Sequence, residues 1–163
     1  MNKEGHVLNA LLLGVGLGVI LEPSGTIETA ESILAVTIPV TLGALFPDVD
    51  TAFGKHRKTL HNVPVLALFV VFPIAFGNLQ YVWIGILTHY ALDYFGSRRG
   101  IALFYPVSDS EFGFPSGVAT SSRFANVVTL VITGFELAVA AAIVYVLPQY
   151  VPETVETLVA FLV

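Results

Sequence analysis

Every lysine and arginine in this chain lies outside a series of apolar stretches, and that segregation constrains the fold more than any single motif does. The stretches run Val7 to Leu21, Ile33 to Phe46, Val63 to Phe76, Leu79 to Phe95 and Phe124 to Leu147. Of the 163 residues, 55% are hydrophobic and only 12% are charged, where a soluble domain has about a quarter charged. Most of such a chain must sit in lipid. The expected fold is all-α, an integral membrane bundle of about four or five hydrophobic helices, with residues 1–163 forming a single domain.

The first stretch is shorter than the roughly 20 residues that usually span a bilayer. It has no small-residue cleavage pattern and reads as a retained helix with His6 at its mouth. After a polar connection from Glu22 to Glu31, Pro39 interrupts the second stretch and predicts a kink. Pro47 to Asn62 is the most polar segment, and Gly77 with Asn78 makes a tight turn. Leu79 to Phe95 is long enough to span and stops at Gly96. A Gly-, Pro- and Ser-rich loop, Gly100 to Arg123, leads to the last long stretch. The tail from Val151 to Val163 is too short to span and is expected in the interface. Gly14, Gly16 and Gly18 lie inside an apolar helix with no following lysine, so Gly14 and Gly18 predict close helix packing rather than a phosphate loop.

Alternating these segments across a bilayer gathers Lys3, Lys55, Arg57, Lys58, Arg98, Arg99 and Arg123 on one face, which the positive-inside rule makes cytoplasmic. Glu22, Glu28, Glu31, Glu153 and Glu156 fall on the other. An odd number of crossings follows, with the N-terminus inside and the C-terminus outside. The formal net charge of -5 gives no reason to expect a nucleic-acid partner, and the absence of cysteine excludes disulfides and thiolate metal sites. The oligomeric state is open.

All four histidines share the cytoplasmic face, and so do Asp48, Asp50 and Asp93. His89 and Asp93 are four apart in a helix and reach toward one point; the competing reading is a buried histidine capped by a nearby carboxylate. Asp48 and Asp50 point the same way in extended backbone, and the alternative for them is turn chemistry after Pro47. His56 and His61 flank Arg57 and Lys58 in a loop at the membrane edge. Its imidazoles suit a metal and its cations suit an anion, while lipid headgroups alone would account for the cations. Glu136, mid-way along the last stretch, fits a polar cavity or an interhelical hydrogen bond, and is left outside the candidate site.

The series His6, Asp48-Val49-Asp50, His56-Arg57, His61 and His89-Tyr90-Ala91-Leu92-Asp93 resembles the YdjM-type family of membrane-bound, metal-dependent hydrolases, over about His6 to Pro106. That family is similar in ligand pattern to the zinc-dependent phospholipase C and P1 nuclease group, and the resemblance implies phosphoester hydrolysis. The chain departs from it at Asn62, where members often carry Ser. Pro115-Ser116-Gly117 followed by Val118, and Ser122-Arg123 without a downstream histidine, set it apart from phosphatidic-acid phosphatases of the PAP2 type, since the phosphohistidine nucleophile is missing.

The expectation is a divalent-metal hydrolase acting on a phosphoester or phospholipid-like substrate at the cytoplasmic face. Its metal ligands are drawn from His6, Asp48, Asp50, His56, His61, His89 and Asp93, with zinc the favoured ion and room for more than one. Whichever of Asp48 and Asp50 is left unliganded would serve as general base and Arg57 would offset phosphate charge. The rival readings are a metal-ion binding or transport protein using the same ligands, and a non-catalytic membrane scaffold.

Overall fold

The computed structural model describes residues 2–115, 117–119, 121–150 and 157. Its architecture is all-helical, with five α-helices and no strand among the described residues. Asn2 sets the start of α1 (Lys3–Leu21) because its side-chain oxygen accepts the Gly5 amide at 2.9 Å. The helix thus begins four residues before the apolar stretch, reaches 19 residues and takes His6 into its first turns. α2 (Ile27–Leu45) likewise starts early and draws in Glu28, favourably placed at the positive helix N-terminus, and Glu31. It continues through Pro39 and ends in a 3₁₀ turn, Pro47–Ala52.

Asn62 caps α3 (Val63–Phe76) by accepting the Val65 amide at 3.0 Å, and Gly77 ends it in the left-handed conformation at φ 67°. α4 (Val82–Phe95) corrects an expectation: it has 14 residues, about 21 Å at 1.5 Å per residue, and falls short of the roughly 30 Å hydrocarbon core. α5 (Ala125–Ala141) runs on through a π turn, Ala142–Val146, and a 3₁₀ turn, Leu147–Gln149. Among the described residues, three helical runs are long and apolar enough to cross a membrane: Lys3–Leu21, Ile27–Ala52 and Ala125–Gln149. The tail from Val151 to Val163, with Glu153 and Glu156, lies outside the described residues apart from Thr157.

Two small-residue crossings hold the bundle. A Cβ on Gly14 would stand 2.6 Å from Thr37 Cα and one on Gly18 would stand 2.5 Å from Ile33 Cα, so α1 and α2 meet backbone to backbone, as the glycine spacing predicts. At the second crossing Gly43 faces the Val82 carbonyl and Gly85 faces the Val40 carbonyl, leaving no room for a side chain between α2 and α4.

The resulting molecule inverts the soluble pattern. Leu34, Ile38, Leu68, Ile74, Val131 and Phe135 face outward, whereas His6, Asn9, Asp50, Arg57, His61, Thr88, His89 and Asp93 are buried. Lipid explains the outside, because hydrocarbon solvates leucine as well as a protein core does. The buried polar groups, expensive in such surroundings, mark the functional interior.

Candidate metal centre

α1, α2 and α4 each end or begin at the same pole of the bundle, and the residues singled out in the sequence meet there. His6 comes from α1, Asp48 and Asp50 from the 3₁₀ turn after α2, His56, Arg57 and His61 from the loop before α3, and His89 and Asp93 from α4. Ligand atoms of His6, His89 and Asp93 lie within 4.8 Å of one another, as do those of Asp48, His56 and His61. The two triads adjoin: Asp48 Oδ1 is 3.7 Å from His89 Nε2 and 3.9 Å from His61 Nε2, and Asp93 Oδ2 is 3.7 Å from both nitrogens.

Hydrogen bonds behind the rings fix the tautomers. The last carbonyls of a helix lack intrahelical partners, and the Ala44 carbonyl near the end of α2 accepts from His89 Nδ1 at 2.7 Å. A carbonyl only accepts, so the proton is on Nδ1 and the His89 Nε2 lone pair is free. The Asp50 carboxylate accepts from His61 Nδ1 through Oδ2 and from His56 Nδ1 through Oδ1, each at 3.0 Å, freeing His61 Nε2 in the same way. The two Nε2 atoms then face each other at 3.1 Å, and in the neutral rings each presents its lone pair to the other. Two lone pairs so placed repel unless a proton or cation lies between them.

His6 supports the same reading. Its ring stacks on His89 with centroids 3.7 Å apart and planes 7° from parallel. Its Nε2 is 3.4 Å from Asp93 Oδ1. Its buried Nδ1 has no hydrogen-bond partner among the described residues, an orphaned atom of the kind native interiors rarely leave. A His and carboxylate donor set without sulfur fits zinc or manganese chemistry.

Asp50 is fully buried with both oxygens engaged. It therefore orients imidazoles, as carboxylates commonly do behind metal-binding histidines, while Asp48 is the partly exposed member of the pair. The expectation that both point the same way fails because Pro47–Ala52 is 3₁₀ rather than extended. With three residues per turn, positions two apart diverge by about 120°.

Arg57 is also placed inward. Its guanidinium is 3.2 Å from Asp93 Oδ1 and bonds the Arg99 carbonyl, so it ties the loop to α4 instead of facing solvent. Its backbone is left-handed at φ 67°, an uncommon conformation for a residue with a side chain. Lys58 pairs instead with the exposed Asp109 at 3.0 Å. Burial pushes the His61 imidazole below its ordinary range, with the Asp50 carboxylate opposing that shift; the neutral, ligating form is favoured.

Sequence reading missed Tyr90 and Asn62 as supports. Tyr90 Oη donates to the Leu60 carbonyl at 2.6 Å and accepts from the Asn62 amide at 3.1 Å. The Asn62 side chain also donates to the Lys58 and Thr59 carbonyls. Together they clamp the histidine loop. Asn62, where the resembling family often has Ser, is thus a capping and loop-holding residue. Tyr90 was available as a signal, being a phenol beside His89 and on the same short helix as Asp93.

Glu136 sits away from the ligands in a second polar group. Asn9 Nδ2 donates to Glu136 Oε2 and to Thr133 Oγ1 at 2.8 Å each, and Thr88 Oγ1 lies 2.6 Å from both Asn9 Oδ1 and Glu136 Oε1. This interhelical network joins α1, α4 and α5.

Fold and donor set together define a membrane helical protein whose buried His/Asp groups could hold a metal ion. The chain belongs to the YdjM inner membrane protein family, whose model matches residues 1–161. The match extends well past Pro106, where the motif resemblance ends. No curated protein and no solved structure matches it. Family and apolar helices place it in the membrane.

Proposed function

We propose that the chain is a metal-dependent hydrolase of phosphoester amphiphiles, working at the membrane face where the two His/Asp triads meet. The observation that carries this reading is the approach of His61 Nε2 and His89 Nε2 to 3.1 Å, faced by the Asp48 and Asp93 carboxylates, with each ring's Nδ1 engaged by an acceptor behind it. His6, His89 and Asp93 would hold one ion and Asp48, His56 and His61 a second. Zinc is favoured by the nitrogen and oxygen donors. Such ions supply Lewis acidity and a water acidified to near neutrality.

The protein's own groups do the rest. Asp50 holds His56 and His61 in register, and Arg57 holds Asp93. Asp48, the carboxylate open to the surface, is placed to take a proton from an incoming water through the oxygen it does not give to the ion. Lys58, at the rim beside Asp109, is the cation assigned here to the substrate phosphate, a role the sequence suggested for Arg57, whose guanidinium is held by Asp93. In this reading the chain is a distant relative of the zinc-dependent phospholipase C and P1 nuclease group. The clustering of all seven Lys and Arg at the ends of segments on the ligand side supports a cytoplasmic orientation for that pole.

The test compares the purified protein with the Asp48→Ala/Asp50→Ala variant on mixed phospholipids and generic phosphoesters, with and without zinc or manganese. Metal-dependent turnover confined to the unmodified protein is expected. Absence of turnover with either metal, together with metal uptake into liposomes, would replace hydrolysis with transport.

A further inference from the structure

Between α1, α4 and α5 lies a cavity of about 250 Å³, and it occupies the half of the bundle away from the His/Asp centre. Leu13, Leu17, Val36, Tyr81, Ile84 and Val139 are among the side chains that line it, with Thr88 and Glu136 at its inner end. α4 orients the site. Its C-terminal half carries His89 and Asp93 to the metal pole, and its N-terminal half, from Val82 to Thr88, walls the cavity.

What fills this space follows from its chemistry. An empty void forfeits dispersion contacts along its lining. Water needs two to four polar partners, and the Thr88 and Glu136 oxygens are already engaged with Asn9 and with each other. The walls belong to helices of membrane-spanning length, Leu13 and Leu17 within Lys3–Leu21 and Val139 within Ala125–Gln149. The surrounding phase at that depth is hydrocarbon.

We propose that this cavity binds one acyl chain of a membrane phospholipid, taken up sideways from the hydrocarbon that surrounds the helices lining it. The site is separate from the proposed hydrolytic centre and does not depend on its activity.

Trp83 lines the cavity and is the sole tryptophan of the chain, which supplies the readout. Bromine on an acyl chain quenches indole fluorescence only at close range. Full-length protein in detergent is titrated with phosphatidylcholine carrying brominated chains. Saturable quenching at a single phospholipid per protein is expected. Ala140→Phe, from α5, and independently Ile143→Phe, from the π turn after it, fill the cavity and should abolish the saturable phase, leaving only gradual quenching, while helicity and metal content stay unchanged. Two variants guard against one that fails to fold. Unsaturable quenching of the unmodified protein, or saturation in both folded variants like that of the unmodified protein, would overturn the proposal. So would a mass measurement showing that a second copy of the chain covers the cavity.

Discussion

The two triads of the candidate centre are built differently. His6, His89 and Asp93 rise from helices and are all buried, whereas Asp48, His56 and His61 come from a 3₁₀ turn and a loop, with only His61 fully buried. The helical triad is positioned by helix crossings that tolerate no added atom. The loop triad is positioned by side-chain clamps: Asp50, Tyr90 and Asn62. In the proposed hydrolase the helical triad is the buried half of the centre, and the loop triad, through the partly exposed Asp48, is the half that opens to the surface.

The strongest way to break this contrast is Asp93→Ala, because Asp93 serves both halves. It removes a helical ligand and strands the buried Arg57 guanidinium, at a cost of about 3–5 kcal/mol. A large fall in thermal stability is expected, partly recovered in Asp93→Ala/Arg57→Leu. Calorimetry showing no loss would mean that Arg57 does not join loop to helix. His89→Ala should leave the bundle folded yet weaken retention of the tighter ion more than about 100-fold, beyond the effect of losing an outer partner. Unchanged metal content by elemental analysis would return His89 to a structural role.

Asp50→Asn sharpens the contrast from the other side. It disturbs two loop imidazoles without touching α4, so about 10–100-fold weaker binding of the second ion is expected, with the first retained. Equal loss of both ions in a competition titration would show that the triads act as one unit. Tyr90→Phe removes the phenolic clamp and should cost about 1–2 kcal/mol, read as faster amide exchange from Leu60 to Asn62 rather than as loss of the helical ion.

The smallest effect belongs to the surface. The Arg99 guanidinium bonds Glu111 through two contacts at 2.7 and 2.9 Å and holds its carboxyl below the usual range. This stabilisation is therefore present above the ordinary carboxylate pKa and is lost as pH falls through the depressed folded value. Glu111→Gln should cost less than about 1 kcal/mol and flatten that part of the acid profile. A larger cost would place the Gly100–Arg123 loop among the determinants of the centre.

Much of this was legible in the chain. The sorting of charges found the pole, and the HxxxD spacing found His89 and Asp93, since both depend on local periodicity. The roles within the pole were not legible. Whether Asp48 or Asp50 faces outward depends on the local helix type after Pro47, and Arg57 turns inward because of carbonyls more than 40 residues away. The span expected for Leu79 to Phe95 failed for a related reason. Apolar residues near Leu79 extend the hydropathy signal past the helix, which starts at Val82.

The contact between Gly43 and Gly85 has a consequence beyond packing. Because nothing larger than hydrogen separates α2 from α4 there, the Ala44 carbonyl one residue along comes within bonding range of His89 Nδ1. The absence of two methyl groups thus decides on which nitrogen of a neighbouring ring a proton resides, and so which nitrogen keeps the electron pair offered to an ion. A Gly85→Ala substitution, silent in any alignment of chemical groups, would act on the acid–base state of the centre.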